Sequence, residues 1–399
     1  MIGSFRRRGC TCKKKKCTCG SKWHYRYHII DPETGKRKQK ETRGFLTKPE
    51  AEEEAKKIIA DLSQGTYIEE KNITFQEFSA QWIEFYETTG RVKNSTVFLR
   101  RSQLKILLSA FGAMRMKDIN KLTYQKMLND MFASGYSKKT ISGAHEVGRM
   151  IFEKAVELEK IKNNPTHYAV IPSQQETIED LEKSEVPRYL EKSELLHFLK
   201  VAKTLGEPSD YPIFLLLSYS GMRSGEALAL KWSDINELNC TISVTKTLFR
   251  EVNNYQKYTL QTPKTKSSKR VIDVDQSLIK VLESHKRRQN SLKMEKRKTY
   301  HDEDFVFTSD NFPGYPITAV RLIKRMETLL KKADLPPLTP HSLRHTHTSL
   351  LAEAGVSLDT IMDRLGHKSD TTTKGIYLHV TKELKKEASQ KFAKLMGDL

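Results

Sequence analysis

Apolar side chains alternate with polar ones over residues 23–29, which predicts a strand with one buried face. The apolar members are Trp23, Tyr25, Tyr27 and Ile29. A turn and a basic run then predict a second strand over 36–43. Thr47 and Glu50 form a capping box, so a helix is expected from there to about Ser63. This part of the chain is therefore expected to be a small sheet followed by one helix.

The next hundred residues carry helical periodicity. Thr74 and Glu77 form a second capping box, and aromatic residues recur after it at helical spacing. Further helical patterns cover 95–111, 123–133 and 137–159, and the short loops between them contain glycine. An aromatic stripe at this spacing predicts a packed core rather than a platform on which bases stack.

A polar, acidic run bounded by prolines at 169–187 predicts a linker between domains. Beyond it the pattern is helical again and includes a strongly apolar helix over 211–219. Strand-like runs at 240–249 and 270–274 flank a lysine-rich turn, and helices resume after them. The last part of the chain is therefore expected to be mainly helical, with a small antiparallel sheet.

Length and charge narrow the possible functions. The chain has 399 residues, enough for two or three domains, and a formal net charge of +20. Residues 1–44 contain 14 Lys and Arg against 3 Asp and Glu, a local charge of +11. Such a block is typical of a segment that binds nucleic acid, and the alternative is a solvated tail. No run of about 18 apolar residues and no apolar signal-peptide core is present, so we expect a cytosolic protein without membrane spans.

Four of the five cysteines lie together near the N-terminus in the pattern CxC-x4-CxC. They are Cys10, Cys12, Cys17 and Cys19. In a reducing compartment this clustering favours a metal over disulfides, so a structural zinc site is one interpretation. The spacing within each pair is tighter than usual for zinc, and a basic leader with free thiols is the other. Cys240 stands in a strand-like run and is expected to be a small core residue.

Four short segments in the second half of the chain carry residue types that suit phosphodiester chemistry. In chain order they are Ser220-Gly221-Met222-Arg223-Ser224-Gly225-Glu226, His341-Ser342-Leu343-Arg344-His345, Leu365-Gly366-His367 and Tyr377. Arginines can bind the oxygens of a phosphodiester, and histidines can donate hydrogen bonds or move protons near neutral pH. A tyrosine hydroxyl can attack phosphorus and hold the DNA covalently. In their order and spacing these segments resemble the tyrosine recombinases of the lambda-integrase family, and the resemblance covers nearly the full length.

Local patterns indicate how some of these side chains are presented. Arg223 follows an apolar helix and a glycine, at the expected start of a new helix, where it favours a bound phosphate. Glu226 lies three residues on and can orient a catalytic neighbour. His341 and Arg344 are also three residues apart, so a helix places them on one face.

A metal site is the rival interpretation of the histidine segment. His341 and His345 have the i, i+4 spacing of metal ligands, but no third ligand motif accompanies them. Arg344 between them also disfavours a bound cation. His345 and His347 are instead expected to pack or bond within the domain.

The resemblance implies a multidomain, mainly α fold. A small ββ(β)α arm-binding domain is followed by a helical SAM-like core-binding domain and an α-rich catalytic domain with a small antiparallel sheet. The N-terminal match is the pattern Trp23-x-Tyr25 … Gly44-Phe45-x-Thr47. The expected boundaries are a basic Cys-rich leader at 1–20, the arm-binding domain at 21–66, the core-binding domain at 72–168, a linker at 169–187 and the catalytic domain at 188–399.

The resemblance also implies the reaction. Tyr377 attacks the scissile phosphate, leaving a 3′-phosphotyrosine and a free 5′ hydroxyl. Arg223 and Arg344 hold the non-bridging oxygens, and His367 adds a hydrogen bond to them. His341 takes part in proton transfer with the tyrosine. The bond energy is kept in the phosphotyrosine, so the chemistry needs neither ATP nor a metal.

A lysine on the β-hairpin completes the family's active site, where it protonates the leaving 5′ oxygen. The match to Pro-Lys-Thr points to Lys264. Lys266 is a competitor, because the sequence does not show where the apex of the turn falls. A basic hairpin that only touches backbone phosphates is the alternative.

The partners implied by the resemblance are double-stranded core and arm attachment sites, a homotetramer on DNA, a host bending protein and an excision factor. The expected DNA contacts of the basic segments are Tyr25, Lys36, Arg37, Lys38, Lys40 and Lys266. The protein is expected to be cytoplasmic and associated with the nucleoid, as an integrase of a phage or another mobile element. Residues 381–399 form an amphipathic pattern and are expected to support tetramer assembly.

Two other functions fit part of the pattern. A type IB topoisomerase shares the chemistry but relaxes DNA without joining sites, and the basic N-terminal sheet favours an integrase. A non-catalytic DNA-binding protein is the second alternative, against which every expected catalytic position holds a competent residue. A metal-dependent nuclease lacks the clustered carboxylates that Mg²⁺ requires.

Overall fold

The computed structural model describes residues 3–8, 21–30, 35–64, 67, 72–89, 92–174, 188–251, 254–263, 268–366, 371–381 and 397. They fall in two compact units, a first unit of Met1–Gln174 and a second unit of Gln175–Leu399. Within the described ranges, no helix combines the length and the apolar composition that crossing a bilayer requires.

The first unit begins with a three-stranded antiparallel sheet in the order β1-β2-β3. Its elements are β1 (Gly3–Arg7), β2 (Trp23–Ile30) and β3 (Arg37–Glu41), followed by helix α1 (Lys48–Ser63). Tyr25, Tyr27 and Ile29 are buried against α1 because alternate residues of a strand share one face. The capping box of Thr47 and Glu50 starts α1 as the sequence predicts.

Strand β1 is missing from the sequence prediction. Gly3–Arg7 shows no clear apolar alternation and falls inside the expected leader. Pairing with β2 places Phe5 opposite Tyr25, with ring centroids 4.9 Å apart. The strand that the expected ββ(β)α fold left optional therefore comes from the N-terminal side of Trp23.

The rest of the first unit is helical. Its helices are α2 (Phe75–Thr88), α3 (Asn94–Phe111), α4 (Lys121–Ala133) and α5 (Lys138–Glu157). The predicted aromatic stripe forms the core, in which Phe75, Phe78 and Trp82 pack with residues such as Tyr124 and Phe152. Burial of this stripe explains why α2 keeps a strict helical spacing of aromatic residues.

The second unit contains helices around two small antiparallel sheets. In chain order the elements are α6 (Lys192–Leu205), α7 (Asp210–Ser220), α8 (Ser224–Leu228), β4 (Ile235–Asn236), β5 (Thr241–Val244), β6 (Thr247–Phe249), β7 (Thr259–Gln261), β8 (Arg270–Asp273), α9 (Gln276–Glu295), α10 (Ala319–Lys332), α11 (Ser342–Glu353), α12 (Leu358–Leu365) and α13 over 371–381. Helix α7 is apolar nearly all round because it is buried in the core, where α6, α9 and α11 contact it.

The expected fold class is confirmed: the described chain is mainly helical, with small antiparallel sheets in both units. The predicted strand at 240–249 is two strands, β5 and β6, and β6 pairs with the unpredicted β7. Cys240 is not a core residue. It precedes β5 in a left-handed conformation, with φ 52°, and its Sγ lies 2.7 Å from Gln276 Oε1.

Candidate active site

The first segment of the predicted site is a sharp turn at the end of α7. Gly221 has φ 63°, in the left-handed region that glycine adopts without strain. A Cβ at this position would lie 2.6 Å from His347 Cδ2 and 2.7 Å from Leu365 Cδ2. The glycine therefore lets α7 end in close contact with both of the other helical segments of the site.

Arg344, in the first turn of α11, joins these segments. Its side chain is buried, although arginine is rarely buried without partners. Nη1 donates to the carbonyl oxygen of Gly221 at 2.6 Å, and Nη2 donates to that of Leu365 at 2.7 Å. One guanidinium thus fixes the backbones of two segments that lie far apart in the sequence.

Arg223 occupies the position just before α8, as the sequence predicts. Its backbone N–H donates to Glu226 Oε2 at 3.0 Å, and its Nη1 donates to Oε1 at 2.9 Å. The side chain is 36% exposed, so the guanidinium is held by the carboxylate yet reaches the surface. This arrangement leaves Arg223 able to contact a phosphate at the protein surface.

Glu226 is buried and also pairs with an arginine that sequence analysis missed. Arg270, at the start of β8, donates from Nη2 to Glu226 Oε2 at 2.9 Å and from Nε to the carbonyl oxygen of Arg364 at 2.8 Å. Burial raises the pKa of Glu226, but the hydrogen bond and charge of Arg270, with a smaller contribution from Arg223, outweigh it and hold the pKa below its usual range. The carboxylate is therefore ionised and shared by two arginines.

His341 is exposed and immediately precedes α11, one residue after Pro340. Its ring lies 4.9 Å from the ring of His345, centroid to centroid, in an edge-to-face arrangement. Arg344 follows it within the same helical turn. The structure thus confirms the expected placement of His341 at the start of the helix that carries Arg344.

His347 bonds inside the second unit, as expected. Its Nδ1 lies 2.8 Å from the carbonyl oxygen of Ser218, and its Nε2 accepts from Arg364 Nε at 3.1 Å. Burial, together with the charge of Arg364, lowers the pKa of His347 to about 3. The ring is therefore neutral near pH 7, with the proton on Nδ1. Arg364 in turn donates to the carbonyl oxygens of Tyr219 and Asp273.

Tyr377 lies half-buried on α13. It packs against an apolar cluster that includes Ile361, Leu365 and Val380. Leu365 is also the residue whose carbonyl oxygen accepts from Arg344. The last residue of α12 thus contacts Arg344 through its backbone and the apolar cluster of Tyr377 through its side chain.

Several predicted residues lie outside the described part of the chain. They are His367, Lys264, Lys266, Cys10, Cys12, Cys17 and Cys19. Their proposed roles rest on the sequence alone.

The predicted arm-DNA contacts are only partly compatible with the sheet. Tyr25 is 2% exposed and packs in the core, so the prediction that it contacts DNA is wrong. Lys36, Arg37 and Lys38 are exposed and Lys40 is half-buried. Because side chains alternate along β3, Arg37 lies on the face opposite to Lys38 and Lys40.

The sheet face that points away from α1 carries polar side chains that sequence analysis missed. His24, Arg26 and His28 alternate with the buried residues of β2. On the same face Arg6 of β1 donates to both carboxylate oxygens of Glu41 of β3, at 2.6 and 2.7 Å, across the middle strand. The alternation along β2 could have predicted these residues, since it assigns them to the face of the sheet that does not pack against α1.

Comparison with known proteins finds family matches for three parts of the chain. Residues 188–383 match the phage integrase family. Residues 13–62 match an arm DNA-binding domain, and residues 74–132 match the N-terminal SAM-like domain of phage integrases.

Among individual relatives, the prophage ps2 probable integrase of Lactococcus lactis is 31% identical over 322 residues, which is 79% of this chain and 81% of that protein. The Tn1549 transposon integrase bound to transposon right-end DNA has the same fold, with a TM-score of 0.60 and 24% identity over 80% of this chain and all of that one. A lambda integrase tetramer bound to a Holliday junction matches with a TM-score of 0.55 and 19% identity over 88% of this chain and 92% of that one.

Proposed function

The chain belongs to the phage integrase family of tyrosine recombinases, and we propose that it is a site-specific recombinase that integrates and excises a mobile DNA element. The observation that carries the proposal is the pair of bonds from Arg344 to the carbonyl oxygens of Gly221 and Leu365. They join three of the four predicted segments at one place, and Leu365 also packs in the cluster that Tyr377 contacts.

In the proposed reaction, the Tyr377 hydroxyl attacks the scissile phosphate. The bond between phosphorus and the 5′ oxygen breaks as a bond between phosphorus and the tyrosine oxygen forms, so one phosphodiester replaces another. The products are a 3′-phosphotyrosine and a free 5′ hydroxyl, and the reverse attack by a hydroxyl of a second duplex completes the exchange. No net bond energy is lost, which is why no ATP is needed, and positively charged side chains take the part that a metal would have in stabilising charge.

The arginines stabilise the charge that develops on the non-bridging oxygens. Arg223 is suited to this role because Glu226 positions a guanidinium that is still partly exposed. Arg344 contributes a second positive charge from the buried side of the turn at Gly221, whose carbonyl oxygen it bonds. His341, exposed at the start of α11, exchanges the proton of the tyrosine. His367 and Lys264, or Lys266 in its place, complete the set on the strength of their sequence positions.

Strand exchange proceeds in two steps through a Holliday junction, and we propose that four copies of the chain assemble on it. A lambda integrase that shares the fold forms a tetramer on such a junction. The arm-binding sheet would hold additional DNA sites, with a host bending protein and an excision factor setting the direction of the reaction.

Covalent capture tests the function. Wild type and Tyr377→Phe are incubated in EDTA with sheared genomic DNA of the source organism. The proteins are then denatured with detergent, and the DNA that stays attached to protein is sequenced. We expect retention by wild type alone, at a few discrete loci, because Phe lacks the nucleophile but keeps the packing. Tyr219→Phe is the matched control, since Tyr219 is an exposed tyrosine at the end of α7 and should retain DNA like wild type.

Retention at scattered loci would assign the protein to the topoisomerases instead. Equal retention by Tyr377→Phe would remove Tyr377 as the nucleophile. No retention by either protein, with DNA binding intact and no strand exchange between added duplexes, would show a DNA-binding protein without recombinase chemistry.

A further inference from the structure

The helical part of the first unit contains a polar cavity of about 420 Å³ at the start of α4. It lies between the turn that precedes α4 and the loop that follows α5. Its polar lining consists of Lys117, Asn120, Lys121, Asn163, Asn164 and His167. No carboxylate is among the described residues that line it, so its charge favours an anion.

The backbone at this place also favours an anion. Asn120 caps α4 by accepting from the N–H of Thr123 at 2.9 Å, and the earlier N–H groups have no partner within the helix. The first turn contains no acidic residue and begins with Lys121, which the helix dipole disfavours. A bound anion would satisfy both the dipole and the lysine.

Asn164 supplies an independent sign of a missing ligand. The residue is 7% exposed, and its Oδ1 accepts from the N–H of Thr166 at 2.9 Å and from the Thr166 hydroxyl at 2.7 Å. These two bonds fix the amide, so its Nδ2 must be the donor group that faces away from Thr166. Within the described part of the chain this Nδ2 has no hydrogen-bond partner. A buried donor without a partner is rare and costly, which indicates a polar group that completes the site.

We propose that this cavity holds one phosphate group of the DNA backbone. Lys117 and Lys121 provide the charge, the first turn of α4 provides backbone donors, and Asn164 Nδ2 provides a donor directly or through one water. Lys121 Nζ lies 5.1 Å from the ring centre of Tyr168, within the range of a cation–π contact. This inference rests on the proposed function, because it takes the anion from DNA rather than from a free phosphate.

The test measures binding, not cleavage, and therefore uses the full-length Tyr377→Phe protein. Affinity for a fluorescent duplex is determined at several salt concentrations. We expect Lys117→Gln and Lys121→Gln to weaken binding to all sequences alike. The slope of log K against log salt is negative, and its magnitude should fall by about 0.9 in the double variant. This is the value for one phosphate contact, rather than twice that amount.

Lys138→Gln is the matched control. Like Lys121, Lys138 is the first residue of a helix whose preceding residue provides a side-chain cap, but that helix is α5. Because a short loop joins α4 to α5, the two helices start at opposite ends of the pair. If Lys138→Gln lowers the slope as much as Lys121→Gln does, or if the double variant binds like the parent, the proposal is wrong.

Asn164→Asp tests the buried donor. It keeps the oxygen that bonds Thr166 and replaces the donor with an oxygen that repels phosphate, so DNA binding should weaken further. If it does not fold, the exposed lysine variants still decide the question. To separate the two sources of phosphate, inorganic phosphate is added to the DNA-free protein at constant ionic strength. Thermal stabilisation that the double variant loses, without any change in DNA affinity, would assign the cavity to free phosphate and overturn the proposal.

Failure of this inference and failure of the proposed function are distinguishable. Covalent capture by wild type with unchanged binding by the double variant would remove only the phosphate site. A lowered salt slope without covalent capture would support the site and remove only the chemistry.

Discussion

Arg270 and Glu226 form a buried ion pair at 2.9 Å, and the same carboxylate holds the guanidinium of Arg223. The side chains of the pair are 6% and 3% exposed, whereas that of Arg223 is 36% exposed. The inner arginine thus keeps the carboxylate ionised and in place, and the carboxylate orients the outer arginine. Since Arg270 begins β8, the pair also links this strand to the first segment of the site.

Glu226→Gln should strongly destabilise the second unit. The substitution keeps the shape of the side chain but leaves the buried Arg270 without a counter-charge, and breaking a buried pair in this way costs about 3–5 kcal/mol. Urea denaturation measures the free energy of unfolding. Glu237→Gln is the control, because Glu237 pairs with Lys286 at the surface, where such a pair contributes about 0–1 kcal/mol. Similar losses in both variants would mean that the buried pair does not stabilise the fold.

Arg344→Lys should lose covalent capture although it keeps the charge. A lysine has one ammonium group and cannot reproduce the two directed bonds to Gly221 and Leu365. We expect the rate of phosphotyrosine formation to fall as for Arg344→Ala, for which losing one charged donor raises the barrier by about 3–4 kcal/mol. Quench-flow trapping of the covalent complex measures this rate.

The control for Arg344→Lys is Arg321→Lys, at a partly exposed arginine that pairs with Glu207. It should retain the wild-type rate. A wild-type rate for Arg344→Lys itself would show that the charge alone is sufficient and that the two carbonyl bonds have no part in the reaction.

Interactions within one helical turn were predictable from the sequence. The helix start at Arg223 and the placement of His341 beside Arg344 follow from caps and spacing. The bonds that bring the segments together were not predictable. Arg270 is 44 residues from Glu226, and Arg344 is 123 residues from Gly221. Nothing in the local pattern pairs them, because tertiary packing sets these distances, as the contact of α7 with α11 does for Gly221 and Arg344.

Tyr25 shows how a resemblance can override a sound physical pattern. The alternation over 23–29 assigns Tyr25 to the buried face of its strand, together with Tyr27 and Ile29. The family pattern nevertheless suggested a DNA contact, whereas burial against α1 is what the structure shows. The same alternation assigns His24, Arg26 and His28 to the opposite face.

Gly221→Ala should impair both folding and catalysis. The left-handed conformation costs an alanine about 1–2 kcal/mol, and the new Cβ would also press on His347 and Leu365 at 2.6 and 2.7 Å. Overpacking of this kind adds about 1–3 kcal/mol. Gly355→Ala separates the two effects, because Gly355 has φ 81° but no atom within 4 Å of an added Cβ. Urea denaturation should show a clearly larger loss for Gly221→Ala, accompanied by loss of covalent capture. Equal losses would mean that the close contact is relieved without cost.

His347 should make the stability of the second unit depend on pH. Its pKa is about 3 in the folded protein, against 6.5 for an unperturbed histidine. Between these values the unfolded chain binds a proton that the folded protein does not, so stability is lost as the pH falls from 6.5 towards 3. The slope from one such group is about 1.4 kcal/mol per pH unit.

His347→Asn removes this titration while keeping a donor near the carbonyl oxygen of Ser218. The variant should be less stable at pH 7, since the Nε of Arg364 loses its acceptor. Its free energy of unfolding should fall less steeply with decreasing pH, by about the slope of one proton between pH 4.5 and 6.5. Burial also lowers the pKa of His285, to about 4, but this contribution is common to both proteins and cancels in the comparison. His197→Asn, at an exposed histidine of α6, provides the control for a general effect of removing a histidine. Parallel curves for wild type and His347→Asn would show that the ring is not held neutral, and the bond from Arg364 Nε to its Nε2 would then have to be abandoned.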